Sequence, residues 1–228
     1  MVEGARCEVW WADVGLVRPW HLDLLDDVEQ ARRERLRRAA DRDRFVIGAV
    51  LLRLVMAERT VWSAAEVPVD RTCTMCGKPH GRPTIAGSGL HVSVSHSGAW
   101  VAVAVTRGAE VGVDVEEISD IDIGSLESTV LSAAETVEVA TLADFFRSWS
   151  RKEALVKAAG DGLSVPLNEV VVDDAAVGPR LVAYPGRPRL AAQLFDLERR
   201  DGYAAALAVL TAAPVEVVER SALSLLRG

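Results

Sequence analysis

The feature that most constrains this chain is a short alternating segment, followed some thirty residues later by a charged helical segment. Residues 111–116 read VGVDVE. Because alternate side chains of a β-strand point to one face, the three valines are expected in the core, with Asp114 and Glu116 side by side on the other face. Adjacent like charges repel and give a sheet no benefit. The pair therefore indicates a bound cation rather than a solvated strand face.

The helical segment supplies a third carboxylate. Residues 149–157 read WSRKEALVK, which places Glu153 and Lys157 one turn apart on the same helix face. Taken alone, this spacing is that of an ordinary exposed ion pair. Combined with the strand, it offers three hard oxygen ligands of the kind that Mg²⁺ binds, with a lysine beside them. The combination predicts a site that handles phosphate groups.

Composition restricts the class of protein. The chain has 228 residues, of which 50% are hydrophobic, and a formal net charge of -7, which argues against general nucleic-acid binding. The N-terminus lacks the pattern of a signal peptide, and no apolar run approaches the roughly 18 residues of a membrane span. Three cysteines, an odd number, suggest reduced thiols. We expect a cytoplasmic protein without a membrane segment.

Cations are concentrated in one place despite the acidic balance. Seven arginines lie between residues 32 and 44. A local basic patch suits a small polyanionic ligand or an acidic protein partner. A solvated helix face, in which acidic residues alternate with the arginines, explains the pattern equally well.

The periodicity of apolar residues predicts an α+β fold rather than alternating βαβ units. Helical patterns cover residues 22–65, whose second part is apolar, and residues 142–159; residues 67–89 are rich in Pro, Gly and Cys and are expected to be irregular. Strands are predicted at residues 8–12, 111–116, 169–172, 190–197 and 203–210, and a hairpin at 91–96 and 100–105.

The order of these elements suggests an internal duplication. Each half of the chain offers an apolar helix that carries basic residues, then a loop, then apolar strands. We therefore predict two similar α+β halves, covering residues 1–108 and 109–228.

The combined strand and helix resemble those of the 4′-phosphopantetheinyl transferases, specifically the monomeric Sfp type. The family pattern matches GVDVE at residues 112–116 and the helix at 149–157. Four flanking segments also match: SVSHSG at 93–98, GDGLSVPL at 160–167, DRF at 43–45 and GRP at 81–83. The resemblance extends over roughly residues 30–210.

This resemblance implies a fold and an activity. The fold would be a pseudo-dimer of two similar α+β halves, with the active site in the cleft between them. The enzyme would be Mg²⁺-dependent and monomeric. It would transfer the 4′-phosphopantetheine arm of coenzyme A to a serine of an acyl or peptidyl carrier protein and release adenosine 3′,5′-bisphosphate.

The resemblance also implies roles for individual residues. The Mg²⁺ ligands would be Asp114, Glu116 and Glu153, with Lys157 beside the phosphates as a stabiliser of the leaving group. Glu135 occupies the position of a family general base, for which Glu153 and a metal-bound water are alternatives. Coenzyme A would be contacted by Ser95 and His96 at its 3′-phosphate, and by Arg44, Arg82, Arg32 and Lys152. For Lys152, a solvated side chain is an equal alternative.

One segment lies outside this pattern. Cys73 and Cys76 form a Cys-x-x-Cys pair that can begin a zinc site, for which His80 or His91, and Cys7, are candidate further ligands. A loop with two reduced thiols is the simpler interpretation. Two other functions therefore remain open: another Mg²⁺-dependent enzyme that cleaves phosphodiesters or pyrophosphates, and a zinc-stabilised binding module.

Overall fold

The computed structural model describes residues 5–135, 139–175, 178–198 and 200–227. It is a mixed α+β fold, as the periodicity predicts. The helices are α1 (Asp27–Arg35), α2 (Ala39–Ala57), α3 (Ile123–Val130), α4 (Leu142–Ala159) and α5 (Leu223–Arg227). The strands are β1 (Ala5–Asp13), β2 (Val69–Asp70), β3 (Thr84–Ile85), β4 (Leu90–Ser97), β5 (Trp100–Arg107), β6 (Val111–Glu117), β7 (Val171–Ala175), β8 (Gly178–Ala183), β9 (Gln193–Asp196), β10 (Tyr203–Val209) and β11 (Val215–Ser221).

Two sheets with the same internal order form the centre of the molecule. One has the order β11-β1-β5-β4 and the other β6-β10-β9. In the first sheet β5 pairs with β1 on one side and with β4 on the other, and in the second sheet β10 pairs in the same way with β6 and β9. All four pairings are antiparallel. A long helix precedes the middle strand in both units, α2 in the first and α4 in the second. The fold is therefore built from two similar α+β units.

The C-terminal end of the chain returns to the first sheet. Strand β11 pairs with β1 in parallel, from Ala5 opposite Val215 to Trp11 opposite Ser221. Leu226 of α5 belongs to the same core as α2. The division at residue 108 stays a prediction, and this return of the chain is a feature that the sequence pattern did not indicate.

Serine side chains join the two sheets at their facing edges. Three serines lie at every second position of β4, and their hydroxyls accept hydrogen bonds from every second backbone N–H group of β6. The N···O distances are 3.0–3.3 Å, in the pairs Ser93–Val113, Ser95–Val115 and Ser97–Glu117. Side chains thus replace a backbone ladder along this seam. Because β4 and β6 have a period of two, every hydroxyl on one side of β4 faces the same side of β6.

Helix α4 has clear start and stop signals. Thr141 caps its first turn, and its hydroxyl accepts from the Asp144 N–H, while Asp144 accepts from the Thr141 N–H. Gly160 ends the helix with a φ of 77°, a conformation that glycine adopts without strain. Phe145, Leu155 and Ala158 are fully buried on the face that packs on the second sheet. The prediction of a helix over residues 142–159 is confirmed.

The predicted helical stretch at residues 22–65 is interrupted. Residues 36 and 38 have extended backbone angles and separate α1 from α2. A buried ion network joins these two helices, because Arg53 of α2 contacts Glu29 at 2.8 Å and Asp26 at 2.6 Å. Asp26 also caps α1. The interruption lies inside the arginine-rich segment, so its arginines belong to two helices and the turn between them.

Gly112 allows the closest approach between β6 and α4. A Cβ atom added there would overlap the carbonyl oxygen of Ala154 and lie 2.5 Å from the backbone nitrogen of Ala158. Since both groups are helix backbone, Gly112→Ala must push α4 away from the strand that carries the carboxylates. We expect the free energy of unfolding in urea to fall by about 3 kcal/mol.

Gly124→Ala is the matched control for this substitution. Gly124 lies inside α3, and the nearest atom to an added Cβ is a side-chain oxygen 3.3 Å away. Alanine favours a helix over glycine, so the stability of this variant is expected to stay unchanged or rise slightly. Equal stabilities of Gly112→Ala and wild type would contradict the close packing of β6 on α4.

Candidate active site

Asp114 is the centre of the candidate site. Its side chain is 2% exposed, and its Oδ1 atom accepts from Ser95 Oγ at 2.9 Å and from Lys157 Nζ at 2.5 Å. Lys157 also donates to Ser95 Oγ at 3.0 Å. Elements β4, β6 and α4 therefore each supply one member of a compact network. The cross-strand neighbours of the carboxylates on β10 are the small residues Ala204 and Ala206, and Ala206 belongs to the core cluster that contains residues of α4.

The other oxygen of Asp114 has no protein partner. Asp114 Oδ2 is buried without a hydrogen bond, which is costly for a carboxylate unless a cation or another donor meets it. Burial raises the pKa of Asp114, although Lys157 opposes this effect. A buried, unsatisfied carboxylate oxygen indicates a position prepared for a ligand.

Two glutamates lie close enough to Asp114 to sense its charge. Glu116 is next to it on the same face of β6 and accepts from Ser97 Oγ at 3.2 Å. Burial, followed by the charge of Asp114, raises the pKa of Glu116 to about 7. The same two causes raise the pKa of Glu153 on α4. The structure therefore brings the three predicted carboxylates into one electrostatic cluster.

This cluster fits a divalent cation in charge and in chemistry. Three oxygen donors that raise one another's pKa hold negative charge that Lys157 alone does not neutralise, and Mg²⁺ prefers such donors. In the part of the chain that the structure describes, however, their oxygens are not all within 4.8 Å of one another. A rotation of a glutamate side chain is needed to close the set around an ion.

A cavity of about 920 Å³ opens beside the carboxylates. Its walls come from α2, the segment between β2 and β3, strand β4 and the C-terminal end of α4, so both α+β units contribute. Its lining includes the basic side chains of Arg32, Arg71, Arg82, Lys157 and Arg187, the titratable side chains of Cys73, His80 and His96, and the acidic side chains of Glu110 and Asp161. A cavity with this lining suits a ligand that carries several phosphates. Lys157 belongs to both the cavity and the carboxylate cluster.

The predicted phosphate-binding arginines occupy different positions. Arg32 lines the cavity, and its guanidinium lies over the Phe45 ring at 5.3 Å. Arg82 also lines it and donates to the carbonyl of Ala158 at 3.1 Å, which fixes the loop to the end of α4. Arg44 lies outside the lining residues and binds the carbonyl of Gly98. Of the three, Arg32 and Arg82 are the better placed for a ligand in the cavity.

The side chains of Ser95 and His96 lie in different places. The Ser95 hydroxyl is engaged with Asp114, Lys157 and the Val115 N–H, and its side chain points into the seam. His96, the next residue, faces the cavity instead. Desolvation, then the positive charges of Lys157 and of Arg44, lower the pKa of His96. The assignment of both residues to a 3′-phosphate stays a prediction, with the stronger support for His96.

Glu135 and Lys152 form a buried pair with each other. The Lys152 side chain is fully buried, and its Nζ atom lies 2.9 Å from Glu135 Oε1 and 2.6 Å from the carbonyl of Val130. Glu135 also accepts from the backbone N–H groups of Ser132 and Val172, both at 3.0 Å. The alternative of a solvated Lys152 is therefore wrong. A role for Lys152 in ligand binding, and for Glu135 as a base, stays a prediction.

Arg71 is a cavity residue that the sequence reasoning missed. Its Nε atom is buried without a hydrogen-bond partner, and desolvation, followed by the charge of Arg32, lowers its pKa to about 10. Two guanidinium groups that repel each other inside a cavity favour the binding of an anion there. No local pattern identifies Arg71, because it stands alone in a loop far from Arg32 in sequence.

Comparisons with known proteins all match 4′-phosphopantetheinyl transferases. The model of the 4′-phosphopantetheinyl transferase superfamily matches residues 110–208. The 4′-phosphopantetheinyl transferase psf-1 of Bacillus pumilus is 33% identical over 147 residues, which are 61% of this chain and 60% of that protein. A 4′-phosphopantetheinyl transferase of Bacillus subtilis is 31% identical over 170 residues, which are 69% and 73% of the two chains.

A third relative is matched over a shorter stretch. The 4′-phosphopantetheinyl transferase gsp of Aneurinibacillus migulanus is 30% identical over 132 residues, which are 54% of this chain and 53% of that protein. This chain thus spans less than two thirds of the length of the Bacillus pumilus and Aneurinibacillus migulanus relatives. The superfamily match begins just before β6 and ends in β10, so it contains all three carboxylates of the cluster.

Proposed function

The chain belongs to the 4′-phosphopantetheinyl transferase superfamily, and we propose that it transfers the 4′-phosphopantetheine arm of coenzyme A to a serine of an acyl or peptidyl carrier protein. The observation that carries this proposal is the position of Lys157, which binds Asp114 in the carboxylate cluster and also lines the basic cavity. A phosphate that reaches the end of this cavity therefore meets the cluster.

The proposed reaction is a displacement at phosphorus. The carrier serine oxygen forms a bond to the phosphorus that bears pantetheine, the bond to the adenosine-side phosphate breaks, and adenosine 3′,5′-bisphosphate leaves. The serine proton passes to a base on the enzyme. The cationic cavity walls hold the nucleotide phosphates, and Lys157 donates to the oxygen on which negative charge accumulates.

Asp114, Glu116 and Glu153 are the proposed ligands of Mg²⁺. The buried and unpartnered Asp114 Oδ2 and the raised pKa values of the carboxyl groups support this assignment. The bound cation would neutralise charge on the pyrophosphate of coenzyme A. Lys157 and Ser95 hold Asp114 Oδ1 and so orient its other oxygen.

Glu153 and Glu135 are the candidates for the base on the enzyme, with a metal-bound water as the third. A base must reach the serine hydroxyl directly or through one water. Burial and the charge of Asp114 raise the pKa of Glu153, which favours proton uptake. Both oxygens of Glu135 already accept hydrogen bonds, and one of them also faces Lys152. These contacts favour Glu153.

We also propose that the enzyme acts as a cytoplasmic monomer. Two α+β units of the same chain both contribute walls to the cavity, which supports a monomer. In the described part of the chain, no helix is long and apolar enough to cross a membrane. Docking of an acidic carrier on the arginines of residues 32–44 and the apolar side chains of residues 121–130 remains part of the proposal.

Mass spectrometry tests the proposed activity. An apo carrier protein incubated with coenzyme A, Mg²⁺ and this enzyme is expected to gain the mass of one phosphopantetheine group on its serine. Release of adenosine 3′,5′-bisphosphate without any carrier would favour a pyrophosphate-cleaving enzyme instead. An unmodified carrier, across acyl and peptidyl types, would overturn the proposal.

Arg71→Gln is expected to weaken the binding of coenzyme A. The variant removes a half-buried guanidinium from the cavity wall and leaves the carboxylate cluster unchanged. We expect the KM for coenzyme A to rise about tenfold, or ~1.4 kcal/mol, with little change in kcat. Arg35→Gln is the matched control, because Arg35 is exposed at the end of α1 and does not line the cavity. Equal KM values for the two variants would remove Arg71 from the binding site.

A further inference from the structure

The segment between β2 and β3 brings together three side chains that the proposed reaction does not use. Ligand atoms of Cys73, Cys76 and His80 all lie within 4.8 Å of one another. Cys76 Sγ is 3.0 Å from His80 Nε2. In the described residues, no other group of three His, Cys, Asp or Glu side chains meets this distance. Two sulfurs and one imidazole nitrogen are the donors typical of zinc sites.

The backbone of this segment forms a tight turn that carries both cysteines. Gly77 directly follows the second cysteine with a φ of 70° and donates its N–H to the carbonyl of Cys73 at 2.8 Å. Cys73 in turn donates its N–H to the carbonyl of Lys78 at 2.8 Å. These two backbone hydrogen bonds close the turn and keep the two cysteines near each other.

The two ends of the segment are held against each other. Gly81 donates its N–H to the carbonyl of Arg71 at 2.7 Å. A Cβ atom at Gly81 would lie 2.9 Å from the carbonyl oxygen of Thr72 and 3.0 Å from the Cα atom of Cys73. This close approach brings His80 back to the two cysteines.

Other candidate ligands are excluded by their positions. Cys7 is fully buried in β1, where burial raises the pKa of its thiol to about 12. His91 Nδ1 lies 3.1 Å from the carboxylate of Glu110, which also forms an ion pair with Arg82. Since Cys76 and His80 are exposed, a fourth ligand is available from solvent. Three protein ligands and one water complete a tetrahedral zinc site.

We propose that Cys73, Cys76 and His80 bind one Zn²⁺ ion, with water as the fourth ligand. The site closes the loop whose two ends carry Arg71 and Arg82, and both arginines line the cavity. Cys73 and His80 line it as well. Zinc thus fixes one wall of the cavity and remains apart from the carboxylate cluster. The consequence for coenzyme A binding, unlike the metal site itself, rests on the proposed function.

Metal analysis of protein purified under reducing conditions tests the site directly. We expect about one zinc per chain in the wild type and its loss in Cys76→Ser and in His80→Gln. His91→Gln and Cys7→Ala are the matched controls and are expected to retain it. After exchange of zinc for Co²⁺, a thiolate-to-cobalt charge-transfer band is expected in the wild type and both controls, but not in the two ligand variants.

Two results would overturn the metal site. These are wild-type protein without zinc after dialysis against zinc and reductant, and zinc retained in both ligand variants. Calorimetric titration with coenzyme A tests the link to the cavity without any turnover. Severalfold weaker binding in Cys76→Ser, but not in His91→Gln, is expected.

The two proposals fail in different ways. Zinc-loaded protein that binds coenzyme A and modifies no carrier would contradict the proposed transferase and leave the metal site intact. Zinc-free protein that modifies the carrier would contradict the metal site and leave the proposed transferase intact. Unchanged coenzyme A affinity after zinc loss would contradict the role of the ion in fixing the cavity wall.

Discussion

Asp114→Asn is expected to abolish transfer to the carrier while the protein remains folded. Asparagine has nearly the same volume, and its side-chain oxygen can still accept from Ser95 and Lys157. The variant loses the buried negative charge that the proposed Mg²⁺ site requires. We expect kcat/KM to fall by roughly a thousandfold, measured as the rate of mass gain of the carrier.

We expect Asp114→Asn to lose activity without losing stability. Burial raises the pKa of Asp114 above its usual value. A carboxyl group with a raised pKa in the folded state destabilises that state as the pH rises through its unfolded pKa and the group ionises. In the absence of Mg²⁺ at neutral pH, the uncharged asparagine removes this cost. The melting temperature should therefore equal or exceed that of the wild type.

Glu117→Gln is the matched control on the same strand. Glu117 is three residues from Asp114 and exposed, and it accepts a hydrogen bond from the Tyr203 hydroxyl that glutamine preserves. It should keep wild-type activity. Near wild-type transfer by Asp114→Asn would contradict the metal assignment, and a loss of activity accompanied by unfolding would be explained by stability instead.

The core of the site was predictable because its signals are local. The period-two pattern of residues 111–116 predicts both the buried valines and the paired carboxylates, and Val111, Val113 and Val115 do belong to one core cluster. The sequence of the helix at residues 142–159 contains an apolar stripe, and an N-cap residue and a C-terminal glycine flank it. Each of these features involves residues within a few positions of one another.

The remaining features depend on contacts between distant residues. Strand β11 pairs with β1 across about two hundred positions, and nothing in either strand's own pattern selects that partner. The GRP segment predicted a phosphate-binding Arg82, but the neighbouring Arg71 became apparent only once the fold brought it beside Arg32. For the same reason, the SVSHSG segment predicts a ligand contact for Ser95 but gives no sign of the hydrogen bond from its hydroxyl to Asp114 across the seam.

Lys152 illustrates how a charged helix residue can be misread from its sequence. Between Arg151 and Glu153, it resembles part of a solvated or ligand-binding face. Helix α4 in fact buries it completely, and Glu135 and two backbone carbonyls satisfy its ammonium group. Burial lowers the pKa of Lys152, and Glu135 opposes that effect. The pair thereby attaches the segment before α4 to the helix that carries Glu153 and Lys157.

Lys152→Met is expected to cause the largest loss of stability among the substitutions considered for this protein. It leaves Glu135, whose side chain is 6% exposed, without its cation. Removal of one partner of a buried pair costs about 3 to 5 kcal/mol, because the other charge remains buried. Urea unfolding should show this loss. The double variant Lys152→Met, Glu135→Leu should recover much of it, since no buried charge is left.

Glu135→Gln distinguishes the supporting role of Glu135 from the role of general base. Glutamine keeps one acceptor oxygen, which can still meet the Val172 N–H and Lys152, but its NH2 group cannot accept from the Ser132 N–H. We therefore expect some loss of stability, and activity is compared for the folded fraction. If Glu135 only supports α4, the kcat of the folded fraction should stay within about threefold of the wild type and keep its pH profile. A loss of roughly a hundredfold or more in fully folded protein, with the acidic limb of the pH profile removed, would make Glu135 the base. Glu153→Gln, measured alongside, is expected to cause the larger loss, because Glu153 belongs to the carboxylate cluster and Glu135 does not contact it.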